Sequence, residues 1–257
     1  MIRHHRYAAH AQTMHFTAQS RLASMSALVA FSIGFATLAT TSFGQEGPAI
    51  FSLPAGCTAF LTVQSNDCSV DHHFTCEGDP AGHQQRVSLT ERGLTYIGSI
   101  NSETQWVGSY HPFTGHSERL SPVENDPASF TELTITGKDT FDFETLSDEI
   151  GTTRYVGQDE LTGRTITIDG IDLEETKYQI RALAPDGTEL WSAEGNEFIS
   201  RRWRMFLAGT GTVTTPTDSF EKDDSPVEFI FPGETGFLSA NPKHGCGVML
   251  SSFTPLD

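Results

Sequence analysis

The chain has 257 residues and a formal net charge of −17, from 33 acidic against 16 basic side chains, with four cysteines and 37% apolar residues. That length suits one domain or two small ones. So large an acidic excess keeps a surface solvated and repels phosphate backbones and anionic membranes, which excludes nucleic acid as a partner.

Residues 1–44 read as a removable export signal. Arg3, Arg6 and Arg21 are their only formal charges, and the apolar run "SALVAFSIGFATLAT" (Ser26 to Thr40) follows. Ser42 and Gly44 then supply the small residues of a cleavage point before Gln45. Met14 offers an alternative start. The apolar run is short for a transmembrane anchor and diluted by Ser, Thr and Gly. Membrane association is therefore expected only through this segment before processing, and the mature chain is expected in the periplasm or outside the cell. Residues 45–257 form one β-rich domain of net charge −20, large enough for a sizeable core.

Beyond Gly44 the apolar residues alternate with period two between turn residues, which is the pattern of antiparallel strands. "CTAFLTVQ" and "CSVDHHFTC" make a first hairpin. "LTYIGSI" and "TQWVGSY" make a hairpin around "NSE" (Asn101 to Glu103), and "FTELTIT" and "TFDFETL" another around "GKD" (Gly137 to Asp139). "TRYVG", "RTITIDG", "KYQIRALA", "TELWSAEG", "EFISRRWRMFLAG", "PVEFIFPG", "GFLSA" and "GVMLSS" continue the series. Two stretches, His111 to Ser129 and Thr210 to Pro226, read as long loops, which are often functional. The fold expected is an all-β antiparallel meander forming a half-barrel, barrel or sandwich, stapled by disulfides.

Four cysteines in an exported chain imply two disulfides in one of three pairings. A two-residue turn at Asn66–Asp67 places Ser65 opposite Cys68 and, with the register continued, Cys57 opposite Cys76. Directly opposed residues have Cβ atoms roughly 4.5–5.5 Å apart, close to what a disulfide needs. The expected bonds are Cys57–Cys76 and Cys68–Cys246. The competing pair, Cys68–Cys76 with Cys57–Cys246, requires the segment between Cys68 and Cys76 to curl.

The continuous strand run from "GRTITIDG" to "RRWRMFLAG" resembles periplasmic half-barrel proteins of the lipoprotein-carrier type, over roughly residues 90–250. The resemblance implies a curved sheet whose concave face holds an apolar or amphipathic small ligand. It is one of strand pattern, and no motif carries the family's lipid contacts onto residues of this chain.

Cys68, His72, His73 and Cys76 are zinc-ligand types, but on a strand His72 and His73 point to opposite faces. His72 shares the expected core face with Val70 and Phe74, whereas His73 is expected to face outward beside Asp71 and Glu77. "HPFTGH" brings His111 and His116 together near Glu118, a pattern open to metal or acid–base chemistry. "GHSE" lacks the closing glycine of a nucleophile elbow, and the zincin, phosphate-loop and dinucleotide signatures are absent. "RRWR" (Arg201 to Arg204) concentrates three cations in a strongly acidic chain. Arg202, Trp203 and Arg204 are the expected ligand contacts, an arginine fork pair with an aromatic wall for an anionic headgroup. No catalytic residue, metal or cofactor is expected. The expected function is a non-enzymatic binding or carrier module, with a protein–protein or envelope module lacking a ligand cavity as the alternative; no protein partner is indicated by name.

Overall fold

The computed structural model describes residues 49–247. The export signal expected over residues 1–44 lies outside the described residues, as does "GVMLSS" beyond Gly247. The described residues form one antiparallel sheet of fourteen strands with a single short helix. In chain order these are β1 (Cys57–Ser65), β2 (Ser69–Cys76), β3 (Gln84–Thr90), β4 (Gly93–Ile100), β5 (Trp106–His111), β6 (His116–Leu120), α1 (Phe130–Thr136), β7 (Lys138–Ser147) and β8 (Gly151–Ile168). They continue as β9 (Ile171–Leu183), β10 (Glu189–Ser200), β11 (Met205–Leu207), β12 (Thr210–Thr214), β13 (Ser219–Asp223) and β14 (Pro226–Ile230).

The sheet is an open meander. Its order is β13-β12-β10-β9-β8-β7-β6-β5-β4-β3-β2-β1-β14, with β11 pairing the far end of β10. Only Asp224 and Ser225 separate β13, at one edge, from β14, at the other. The sheet therefore curls until its edges approach across a two-residue link. The turn after β1 sits at this seam: Asn66 donates its backbone N–H to Ser225 O (3.0 Å) and its side-chain amide to Asp223 Oδ2 (2.8 Å). The outer edge of β14 is also covered. At the tip of the β8–β9 hairpin Asp169 and Gly170 both have positive φ (47° and 74°), as a tight primed turn requires. There the Asp169 carboxylate accepts the Phe229 N–H at 2.8 Å.

Curling brings distant strands onto one core. Leu61 and Val63 of β1 meet Leu173 of β9, Phe198 of β10, Met205 and Leu207 of β11 and Phe229 of β14. The other face of β1–β3 buries Ala59, Val70, Phe74, Val87 and Leu89 under the flanking segments around Phe51 and Phe237–Ala240. Each such side chain contributes about 1.5–3 kcal/mol when fully buried.

Both expected disulfides form, Cys57–Cys76 and Cys68–Cys246. The register that leads to the first differs from the expected one in two places. The turn holds three residues, with Cys68 at φ 60°, so Ser65 pairs with Ser69 rather than Cys68. A bulge at Phe60, between Ala59 and Leu61, takes the extra residue back, and Cys57 again faces Cys76. The stretch around Cys246 is irregular rather than a strand.

Four further expectations are corrected. "FTELTIT" is α1, because Ser129 caps it by accepting the Glu132 N–H at 3.1 Å and Gly137 closes it at φ 87°. Its buried Phe130 and Leu133 pack on Ile199 and Phe206. Replacing Ser129 with Ala is expected to cost about 1 kcal/mol in a denaturant melt. The two long loops each contain strands: β6 lies within the first, and the β12–β13 hairpin within the second. "TRYVG" and "RTITIDG" are one strand, β8, with an irregularity between Leu161 and Thr165. "GFLSA" is a turn with a single bridge from Ser239 to Ile50.

Candidate functional site

The cationic cluster lies in a turn, not a strand: Arg201–Arg204 join β10 to β11. Alternation of faces therefore does not apply to it. Arg201 binds Glu174 (2.9 Å) and Thr134 O (3.1 Å). Arg204 donates to Ser102 O, Glu103 Oε1 and Thr131 Oγ1, each at 3.0 Å, with its guanidinium 4.9 Å over the Phe130 ring. Glu103 in turn accepts from the Thr131 N–H at the start of α1 (2.8 Å). Trp203 packs inward on Phe229 and Phe231. Arg202 is exposed, 5.9 Å from the Trp203 ring. Arg202, Trp203 and Arg204 thus point to three different places. Two arginines of the cluster fasten α1 to the sheet.

Both histidines of β2 are buried, His72 fully and His73 at 6% exposure, so the outward orientation expected for His73 is corrected. They do alternate, but each face of β2 is covered. His72 stacks on Phe51 and its Nδ1 lies 3.0 Å from Thr62 Oγ1. His73 sits opposite Arg86 of β3 with its ring against Phe60. Burial pushes His72 down to about 4. Burial, then the Arg86 charge, pushes His73 down to about 3. Both are neutral packing groups at ordinary pH. With Cys68 and Cys76 in disulfides, the metal set once open to them is gone.

A row of side chains that no local pattern announces crosses the far half of the sheet. Asp159, Tyr178, Gly195, Gly211 and Lys222 are successive neighbours on β8, β9, β10, β12 and β13. A Cβ on Gly195 would meet Thr210 O and the Gly211 backbone, so the strands approach here only because the side chain is absent. Glu197, two residues along β10, joins the row. Burial pushes Glu197 up to about 7, with Lys222 and Arg86 opposing. Burial, then Glu197 and Asp139, pushes Asp159 up to about 8. Lys222 donates to Asp224 Oδ2 at 2.6 Å, and Arg86 lies 4.7 Å over the Tyr96 ring. Glu197 and Asp159 lie deep among protein atoms yet keep some contact with solvent.

A groove of about 890 Å³ runs along the same strands. Its exposed charged lining comprises Glu160, Lys177, Glu194, Glu221 and Asp223, which alternate along the strands with the row just described. Four carboxylates there outnumber two lysines, Lys177 and the half-buried Lys222, and Lys222 is already paired with Asp224. A second, small pocket of about 10 Å³ lies between β1–β3 and the segment around Phe206–Ala208.

The third cluster is on the β5–β6 hairpin. His111 and His116 face each other across it, with ring centroids 4.4 Å apart and planes 11° apart. Glu118 lies two residues along β6, its Oε1 3.4 Å from His116 Nε2. Burial, then His116, lowers the His111 pKa. The "HPFTGH" spacing announced this pair; the alignment of Glu118 with it follows from hairpin register.

No protein-family model, curated protein or solved structure matches this chain. Fold and site define its class directly: a disulfide-linked antiparallel meander sheet with packed apolar clusters, buried ionisable groups and an acidic groove along β8–β13. Disulfides fit an oxidising compartment. Among the described residues no helix is long and apolar enough to cross a membrane.

Proposed function

We propose that the chain is a non-catalytic module, exported by residues 1–44 to the periplasm or cell exterior, that binds a basic segment of a protein partner along the β8–β13 groove. The observation that carries this reading is the acidic groove lying beside the edge strand β13. A carrier of apolar ligands needs an apolar cavity. Here apolar side chains of the curled sheet pack on one another, and the groove of about 890 Å³ carries four carboxylates against two lysines in a polar lining. The net charge of −20 over residues 45–257 adds a long-range attraction for cations. Beside the groove, β13 is a five-residue edge strand carrying Glu221 and Asp223, with Phe220 half exposed. Such an edge gives a partner backbone a place to pair.

Calorimetric titration with a lysine- and arginine-rich peptide tests the reading. Binding is expected, weakening with salt and falling about tenfold in Glu194→Gln/Glu221→Gln, since each lost charge contact removes on the order of 0.2–1 kcal/mol at an exposed site. A fluorescent fatty acid is expected not to bind. Saturable fatty-acid binding, with no response to the basic peptide, would restore the carrier function and overturn this one.

A further inference from the structure

We propose that His111, His116 and Glu118 form a binding site for a divalent transition-metal ion of the zinc type, independent of the β8–β13 groove. Each offers one ligand atom, and the three atoms lie within 4.8 Å of one another. The hairpin makes this convergence. His111 and His116 are directly opposed residues of β5 and β6, and His116 and Glu118 share a face of β6 because they are two apart. The four-residue connection is closed by the Gly115 N–H bonding His111 O at 2.8 Å, with Gly115 at φ 69°.

The surrounding groups are arranged as those around a metal ligand are. Glu118 spends one oxygen inward: Oε2 accepts from Thr145 (2.7 Å) and from the Tyr155 hydroxyl (3.3 Å). That leaves Oε1 directed at His116. Thr114 Oγ1, whose own hydroxyl is placed to donate to His111 O (3.4 Å), lies 2.7 Å from His116 Nδ1. Nδ1–H donating to Thr114 leaves the Nε2 lone pair facing the Glu118 carboxylate across 3.4 Å. In that tautomer the two lone pairs face each other, and a metal ion between them would satisfy both. With bonds of about 2.0–2.1 Å, tetrahedral ligands of zinc stand roughly 3.3 Å apart, the separation found here. Outer hydrogen bonds that fix an imidazole tautomer and a carboxylate are the usual support of such ligands.

His111 completes the set by turning about its Cβ–Cγ bond, out of the stack with His116. All three residues are partly exposed, so the ion has an entry path and water takes the fourth position. Imidazole nitrogen selects zinc and its first-row neighbours over calcium and magnesium. The disulfide sulfurs take no part.

The test is uptake of Zn²⁺ by chelator-treated, disulfide-intact protein, read by calorimetry and by elemental analysis after gel filtration. One zinc per hairpin is expected, with affinity falling at least tenfold in His111→Asn, in His116→Asn and in Glu118→Gln. X-ray absorption at the zinc edge is expected to show nitrogen and oxygen neighbours and no sulfur. His4, His5, His10 and His15 lie in the amino-terminal segment, so the double variant His111→Asn/His116→Asn separates the sites. Zinc retained undiminished in that folded double variant, or no uptake by the parent protein, overturns the proposal. Loss of zinc with unchanged peptide binding leaves the groove function standing, and the converse leaves the metal site standing.

Discussion

Raising the pH from about 6 to about 8.5 is expected to lower the melting temperature, and Glu197→Gln with Asp159→Asn to flatten that fall. The sign follows from where the protons sit. In the folded protein Glu197 titrates near 7 and Asp159 near 8, against 4.5 and 3.8 for the free groups. Across that interval the folded state holds protons that the unfolded chain has released. Stability is therefore present in full at low pH and is lost as pH rises through the folded values. The buried histidines act in the opposite direction. His72 and His73 titrate near 4 and 3 when folded and near 6.5 when free, so their contribution is lost as pH falls. Asp139, pushed up to about 6 chiefly by burial, joins the carboxylates. Between about pH 4.5 and 6 the three carboxyls outweigh the two histidines by one proton, from 6 to 6.5 Glu197 and Asp159 balance them, and only the carboxylates act above that. From pH 6 upward Glu197 loses over about one pH unit and Asp159 over about two, less about one returned by the histidines below 6.5, a net loss on the order of 3 kcal/mol at about 1.4 kcal/mol per pH unit. At 2–4 °C per kcal/mol for a domain of this size, that is roughly 6–12 °C. Scanning calorimetry across the range checks it; a melting temperature that is flat or rising up to about pH 8.5 would sink the assignment of these two carboxyls as buried acids.

Opening Cys68–Cys246 by Cys68→Ser/Cys246→Ser is expected to destabilise more than opening Cys57–Cys76. The two bonds span 178 and 19 residues. In the chain-entropy account these loops correspond to roughly 5 and 3 kcal/mol. The longer bond also anchors the segment that covers β1 and β2. There Lys243 N–H donates to Gln64 Oε1 at 2.9 Å and Cys68 N–H to His244 O at 3.0 Å. A melting temperature lower by about 10–20 °C is expected for the long-loop variant. Equal or reversed losses would show that the covering segment holds without its staple.

Much of the architecture was legible because alternation is local. The strands of β4, β5, β7, β9 and β14 read directly from their period of two. The Cys57–Cys76 pairing was legible as well, though by a path with two compensating offsets: an added residue in the turn and an added residue at Phe60. A bulge shifts the phase of alternation by one residue, and here the adjoining apolar residues Ala59, Phe60 and Leu61 hide that shift. "FTELTIT" satisfies both a strand and a helix pattern over seven residues, and Ser129 with Glu132 and Gly137 decides between them. β12 and β13 were hidden because residues such as Ser219, Glu221 and Asp223 are exposed on a polar edge and carry no apolar face. The histidine pair could be seen in "HPFTGH". The Asp159–Lys222 row could not, because it exists only once five strands stand in register, and sequence neighbours say nothing of that.

The two-residue passage from β13 to β14 has a consequence for biosynthesis. Among the described residues β1 is the first strand to leave the ribosome, yet β14, one of its two neighbours, is the last. Its hydrogen-bonding edge must stay open while about 160 intervening residues are threaded and arranged. Cys57 finds Cys76 within its own hairpin, but the Cys68 thiol waits for nearly the whole chain. A chain of this kind is exposed to mispairing during that wait, and oxidative refolding is expected to be paced by the arrival of its carboxyl-terminal segment.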